Sequence, residues 1–239
     1  MIGFASLVLS SWLVAAPGPQ VQQWSTHVER TFRVAGFPAP SRDQALDRVC
    51  ETLAKRQSTV GIRQRVRKLR VYDGIVIPVV VDGADRPKVL QSLKRYIADH
   101  LIAHGITRYG VAVKGQRVIL LFVRRVLRLQ TWPTPKRRGE VVPLYGTLSP
   151  GFHSARLLVA RPDGRIDTHR ARISGGKLRA AIPFYGPGRY AVEIMAQGPR
   201  GNEVLALIHT TVGGKRTTQP FVPTTVTQGP RHAEELLLR

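Results

Sequence analysis

A chain of 239 residues is long enough for two ordinary domains, and 43% hydrophobic residues supply a core for each. With 37 Lys and Arg against 15 Asp and Glu the formal net charge is +22, yet that apolar content excludes a disordered basic tail. The single cysteine, Cys50, excludes an intramolecular disulfide and any multi-cysteine zinc site.

Ile2 to Ala16 form an uncharged, mostly apolar run that ends in small residues, the length of a signal-peptide core and too short to span a bilayer comfortably. The expectation is a signal peptide over 1–20 and a secreted or periplasmic protein; an N-terminal helix buried in the fold is the alternative. Trp24, Val28, Phe32 and Val34 suggest a short helix over 24–37, ended by Pro38 and Pro40. Ser41 and Gln44 then fit a capping box, and Ala45, Leu46, Val49, Cys50 and Leu53 recur at helical spacing, which predicts an amphipathic helix over 42–56. Cys50 lies inside that apolar pattern and reads as a buried, inert thiol.

Arg63, Arg65 and Arg67 alternate ahead of Lys68 and Arg70, and residues 74–82 read as a strand that Pro78 confines to a sheet edge or a bulge. Leu90, Leu93, Ile97 and Leu101 predict a helix over 85–104 with Gly105 as its stop. Residues 109–113 and 117–123 are strands joined by the hairpin signal Lys114-Gly-Gln116. The first domain, 24–130, is therefore predicted to be α+β. Residues 131–139 are a proline-rich basic linker. Beyond it, short apolar runs separated by turns such as Pro162-Asp-Gly164 and Gly186-Pro-Gly188 predict an all-β, immunoglobulin-like sandwich over 140–213. Residues 214–239 read as a linker followed by the start of a helix, as though the chain were cut there.

The basic residues are unevenly placed: 24 Lys and Arg against 8 acidic residues over 24–138, and 9 against 5 over 139–213. An anionic partner should thus meet the first half, and the candidate contacts are Arg63, Arg65, Arg67, Arg70, Arg124, Arg125 and Arg128. For an exported protein an anionic envelope polymer or phospholipid headgroups are the fitting partners. Nucleic acid is disfavoured by export and by the lack of stacking aromatics or a groove-entering helix. A merely solvated basic face is the plainer reading. His100 and His104 have helical i, i+4 spacing but lack the third ligand and the glutamate of a metalloprotease helix. Ser149 lies in no G-x-S-x-G turn, and Gly110 to Gly115 opens no helix, so neither a nucleophile elbow nor a dinucleotide loop is present. No catalytic residue and no cofactor or metal site is assigned.

Ile106-Thr-Arg-Tyr-Gly-Val-Ala-Val113, followed by Val118-Ile-Leu-Leu-Phe122, resembles the closing strands of the CAP/SCP-like superfamily of extracellular domains. The stretches "PDG", "PGRYAVEI" and "NEVLALIHTTVG" resemble the β-sandwich that lies between a degenerate CAP-like region and a genuine CAP domain in some bacterial exported proteins. His232 to Leu238 is similar to the opening helix of that following domain. The resemblance implies a degenerate CAP-like first domain without the family's cavity, since Ile97 stands where the second cavity histidine would be. It also implies that Tyr190 ties down a sandwich corner through its hydroxyl. The function it points to is a non-enzymatic accessory or interaction module of an exported CAP-family protein. The alternatives are a polyanion binder using the arginine-rich face, and a hydrolase whose site the motifs do not reveal.

Overall fold

A computed structural model describes residues 18–55, 58, 60–82, 86–130, 132–135 and 137–213. The expected signal segment before Gly18 and the expected linker and helix start after Gly213 lie outside the described residues. Helix α1 (Pro19–Val34) begins with proline, whose missing N–H is harmless in a first turn, and buries Trp24, Val28 and Phe32 at four-residue spacing. Pro19 and Gln20, assigned to the signal segment on sequence grounds, already belong to this helix.

Ser41 does not cap the next helix. It lies in the two-residue strand β1 (Ser41–Arg42), paired in parallel with β3 (Arg108–Lys114). Asp43 caps α2 (Gln44–Ala54) instead, its carboxylate accepting from Ala45 N at 2.8 Å and Leu46 N at 3.3 Å. The alternating arginines that follow are helical, in α3 (Ile62–Lys68), which starts from Gly61 at φ 67° and buries Val66. Seven residues hold too few apolar positions for helical periodicity to show. Strand β2 (Ile75–Asp82) lies at a sheet edge, where Pro78 leaves no ladder bond broken on its open side. Helix α4 (Arg86–Tyr96) continues through a π-turn over Ile97–Leu101 and a 3₁₀ turn over Ile102–His104, and Gly105 ends it at φ 61°. β3 then turns at Gly115-Gln116 into β4 (Arg117–Arg124).

These strands form a four-stranded sheet in the order β1-β3-β4-β2. Alternation sends Tyr109, Val111, Val118, Leu120 and Phe122 to the face covered by α1 and α4. Ala112, Ile119, Leu121 and Val123 go to the opposite face, covered by α2 and α3. The first half is therefore an α-β-α layered unit.

The second half begins earlier than its composition suggests. β5 (Leu127–Leu129) pairs with β6 (Glu140–Leu148), so the sandwich starts inside the stretch assigned to the first domain. Of the stretch expected as a linker, residues 132–135 and 137–139 therefore lie in a connection within the sandwich. Pro133 and Pro135 are buried there, and Gly139 N donates to Phe184 O at 2.7 Å. The remaining strands are β7 (His153–Ala160), β8 (Ile166–Arg170), β9 (Arg172–Ser174), β10 (Lys177–Phe184), β11 (Gly188–Gly198) and β12 (Gly201–Val212). The chain changes sheets at Ala171, between β8 and β9. Two sheets result, β5-β6-β10-β9 and β12-β11-β7-β8, closed over Leu127, Leu144, Leu157, Leu178, Ile194 and Ile208. The protein is mostly β-sheet, and its second half is a two-sheet β-sandwich.

The two halves share backbone hydrogen bonds. Leu207 N donates to Tyr72 O at 2.7 Å and Gly74 N to Leu205 O at 3.1 Å, so residues 72–74 cover the edge of β12. A β-carbon on Gly74 would sit 1.9 Å from Val204 O. Only glycine permits that approach.

Candidate functional site

The densest polar cluster lies where β4 leaves the first sheet. Arg125 donates from Nε and Nη2 to the two oxygens of Asp73, both at 2.9 Å, and from Nη1 to Asp43, the cap of α2. Asp73 is fully buried. Its backbone oxygen accepts from Arg67 Nη1 at 2.8 Å, and the Arg125 guanidinium lies 5.8 Å from the Tyr72 ring centre. The Tyr72 hydroxyl in turn accepts from Leu129 N of β5 at 3.1 Å. Thr107 Oγ1 accepts from Arg125 N at 2.8 Å. Burial raises the Asp73 carboxyl above the ordinary range, and the bidentate bond to Arg125 acts against that rise.

A second pair lies close by. Arg124 bonds the Glu203 carboxylate of β12, whose other oxygen accepts from Arg200 N at 3.3 Å. Burial, with Arg200 beside it, brings Arg124 down to about 10, so it stays charged at neutral pH. Arg200 also donates to Ala103 O at 3.1 Å, bringing the turn between β11 and β12 onto the end of α4. The third buried carboxylate, Asp47, accepts from Val111 N at 2.8 Å and Arg42 Nε at 2.9 Å, fastening α2 to β3; burial raises it while both bonds oppose.

The seven arginines proposed from sequence do not form one anion-binding face. Arg67 and Arg125 meet at Asp73, but both point inward, onto backbone oxygens and carboxylates. Arg124 is held by Glu203. Arg65 reaches back to Ser58 O. Arg70, at φ 63°, lies over the Trp132 ring at 5.6 Å. Arg63 and Arg128 are exposed and stand on different halves of the molecule. Sequence density marked these residues because β4 runs straight into the junction between the halves. That junction needs cations to match the buried carboxylates of Asp73 and Glu203.

His100 packs against Tyr96 with ring centres 4.9 Å apart, and His104 is lowered by burial and by the nearby Arg200 charge. Among the described residues no group of three His, Cys, Asp or Glu side chains is arranged to hold a metal ion. Cys50 is buried, and burial pushes its thiol far up. Sequence reasoning overlooked the basic residues Arg172, Lys177 and Arg179, which the structure gathers on β9 and β10. Alternation along each strand was the available signal, and the cluster shows only once β9 is paired with β10.

No protein-family model matches the chain, and no curated protein sequence matches it. Among solved structures the chain is similar to CopC from Methylosinus trichosporium OB3b, at 14% identity and TM-score 0.28, covering 36% of this chain and 92% of that one. It is similar to the PKD domain of the human VPS10 domain-containing receptor SorCS2, at 21% identity and TM-score 0.28, covering 39% and 76%. The fibronectin(III)-like modules of Clostridium thermocellum CbhA give 12% identity and TM-score 0.26, covering 36% and 93%. At these scores the likenesses carry no argument about function.

Proposed function

We propose that this chain is a non-enzymatic accessory or interaction module of an exported envelope protein, related to the CAP/SCP-like superfamily. The observation that carries this reading is the state of its buried acids. Asp47, Asp73 and Glu203 each accept from an arginine side chain or a backbone N–H, and Asp73 and Glu203 serve to hold the two halves together. A general acid or base needs a carboxyl group open to a cleft; here the pairing of these acids is structural. The α-β-α layers, with a helix leading through Thr107 into β3 and closing on β4, are compatible with the CAP-like resemblance.

The second half we infer to be of the immunoglobulin kind. Its two sheets, β5-β6-β10-β9 and β12-β11-β7-β8, follow the A-B-E-D and G-F-C-C′ orders of that architecture. The Tyr190 hydroxyl, at the start of β11, bonds back to Gly186 as a corner tyrosine does. Such sandwiches serve widely as binding and spacing units, and they host unrelated functions.

The partner fitting a +22 exported protein is an anionic envelope polymer or a layer of phospholipid headgroups. The experiment is sedimentation with isolated bacterial envelopes at physiological ionic strength. The expected result is protein in the pellet with no soluble fragments released from envelope polymers. Fragment release above the protein-free blank overturns the non-enzymatic reading, and protein left wholly in the supernatant overturns the envelope partner.

A further inference from the structure

The outer face of the sheet β5-β6-β10-β9 carries cations that the fold itself does not use. The strand registers place Arg128, Thr147, Lys177 and Ser174 in one row across the four strands. Tyr145, Arg179 and Arg172 form the next row. All seven side chains are exposed, and Tyr145 retains 41% of its surface. With strands about 4.8 Å apart and same-face neighbours about 7 Å apart, the four cations fall within a patch of roughly 15 by 7 Å. Arg172 stands directly across from Arg179, with Lys177 beside it, and directly opposed like charges destabilise a sheet. Among the described residues no carboxylate makes a salt bridge with any of these four cations. Salt bridges elsewhere in the molecule hold Arg42, Arg117, Arg124, Arg125 and Arg161 to acids. What sets this group apart is the direct opposition of like charges across the β9–β10 pair, which an anion from outside would relieve.

The shape narrows what that anion is. Arg172, Ser174, Gly175, Lys177 and Arg179 line an open hollow of about 470 Å³ at the β9–β10 edge. Two guanidinium groups, an ammonium and a hydroxyl lining one open hollow match the several oxygens of a phosphate group. Arg128, two strands from Lys177, is placed for a second charge farther along a chain. A bilayer surface meets protruding side chains first, whereas this recess admits a group that hangs from a polymer. The row beyond Tyr145 and Arg179 holds the exposed Pro143 and Ala181, and the exposed Val141 lies one row farther, toward the other end of the sheet.

We propose that this face binds a linear phosphate-bearing polymer, with one phosphate seated among Arg172, Ser174, Lys177 and Arg179 and a following one at Arg128. The proposal rests on the reading of the chain as a binding module and names its surface and its ligand class. It is tested on the full chain by measuring affinity for long-chain inorganic polyphosphate across a salt series. Two triple variants lose the same charge: Arg172→Gln, Lys177→Gln, Arg179→Gln on the face, and Arg30→Gln, Arg48→Gln, Lys94→Gln on exposed positions of the first half. The face triple is expected to bind at least about tenfold more weakly and to flatten the log-log salt slope by roughly 2–3, since each lost phosphate contact removes close to one released counterion. The control triple should change affinity by less than about threefold, the part due to net charge alone.

Ser174→Asp, which adds a carboxylate to the recess while leaving the rest of the sheet intact, should reproduce the direction of the loss even where the triple variant folds poorly. Equal losses from the two triples, or an unchanged Ser174→Asp variant, overturn the proposal. So does tighter binding to phosphatidylglycerol vesicles than to polyphosphate. Any of these results alongside intact envelope sedimentation removes this surface and leaves the module reading standing.

Discussion

Tyr190 is 2% exposed, and its hydroxyl both accepts from Gly186 N and donates to Gly186 O, each at 2.9 Å. Its ring packs edge-on against Phe184 with centres 5.0 Å apart. Phenylalanine would keep that packing and remove only the two polar contacts, leaving the Gly186 N–H and C=O to find other partners. Tyr190→Phe is therefore expected to lower stability by about 1–3 kcal/mol in urea unfolding, with an unchanged m-value. A change within error would mean that water replaces the hydroxyl freely at this corner. This residue could be read from the sequence through its resemblance to a corner tyrosine, and its partner, four positions back, is local. Asp73 could not: Arg125 is 52 residues away, and an aspartate beside a glycine reads as an ordinary turn. The arginines of 63–70 and 124–128 were visible as a charge density, but whether a guanidinium points into solvent or onto a buried acid is a property of the fold.

At the scale of elements, sequence pattern works where one element has one face to bury. The spacing of Leu46, Cys50 and Leu53 makes α2 legible, and the hairpin of β3 and β4 follows from apolar strands flanking a glycine turn. It fails where neighbours decide. β5 is three residues long and becomes a strand through pairing with β6, and the proline-rich loop after it is held by Phe184 and Thr210. Gly110 illustrates the same dependence within a strand. Absent from any dinucleotide loop, it is where α2 lies against the sheet: a β-carbon there would sit 2.4 Å from Leu46 C and 2.7 Å from Asp47 N. Those are backbone atoms, so rotamer changes cannot relieve the contact. Gly110→Ala should force α2 outward, stretch the bond from Val111 N to Asp47, and cost about 1–3 kcal/mol in thermal or urea unfolding. Gly115→Ala is the control, since its hairpin position is open to solvent and an added β-carbon meets nothing within 4 Å. Its cost comes from a φ of 60° alone. A loss at Gly110 no larger than at Gly115 would mean that α2 shifts without resistance.

At the scale of the whole molecule, composition suggested two domains on a string, whereas the structure joins them through one edge pairing and the Arg124–Glu203 ion pair, with Arg125 holding the paired segment through Asp73. Arg125 is the central piece: it touches the cap of α2 and the segment that pairs with β12, and its own backbone is held by Thr107. If this junction holds the halves, the protein should unfold in one transition, with tryptophan fluorescence and far-ultraviolet circular dichroism superimposed. Asp73→Ala leaves a guanidinium that is mostly withdrawn from water with Asp43 as its only carboxylate. Removing one partner of a buried pair costs about 3–5 kcal/mol, and the loss should separate the two probes into distinct transitions. Adding Arg125→Met removes the uncompensated charge and should recover part of the stability without restoring the single transition, because the methionine cannot bond Asp43. Asp82→Ala provides the scale for an ion pair that bears no such load. Its carboxylate also accepts twice from one arginine, Arg117, but at an exposed sheet edge, where the effect should stay below about 1 kcal/mol. An Asp73→Ala loss as small as that of Asp82→Ala, with the probes still superimposed, would show that backbone pairing along β12 suffices to hold the halves together.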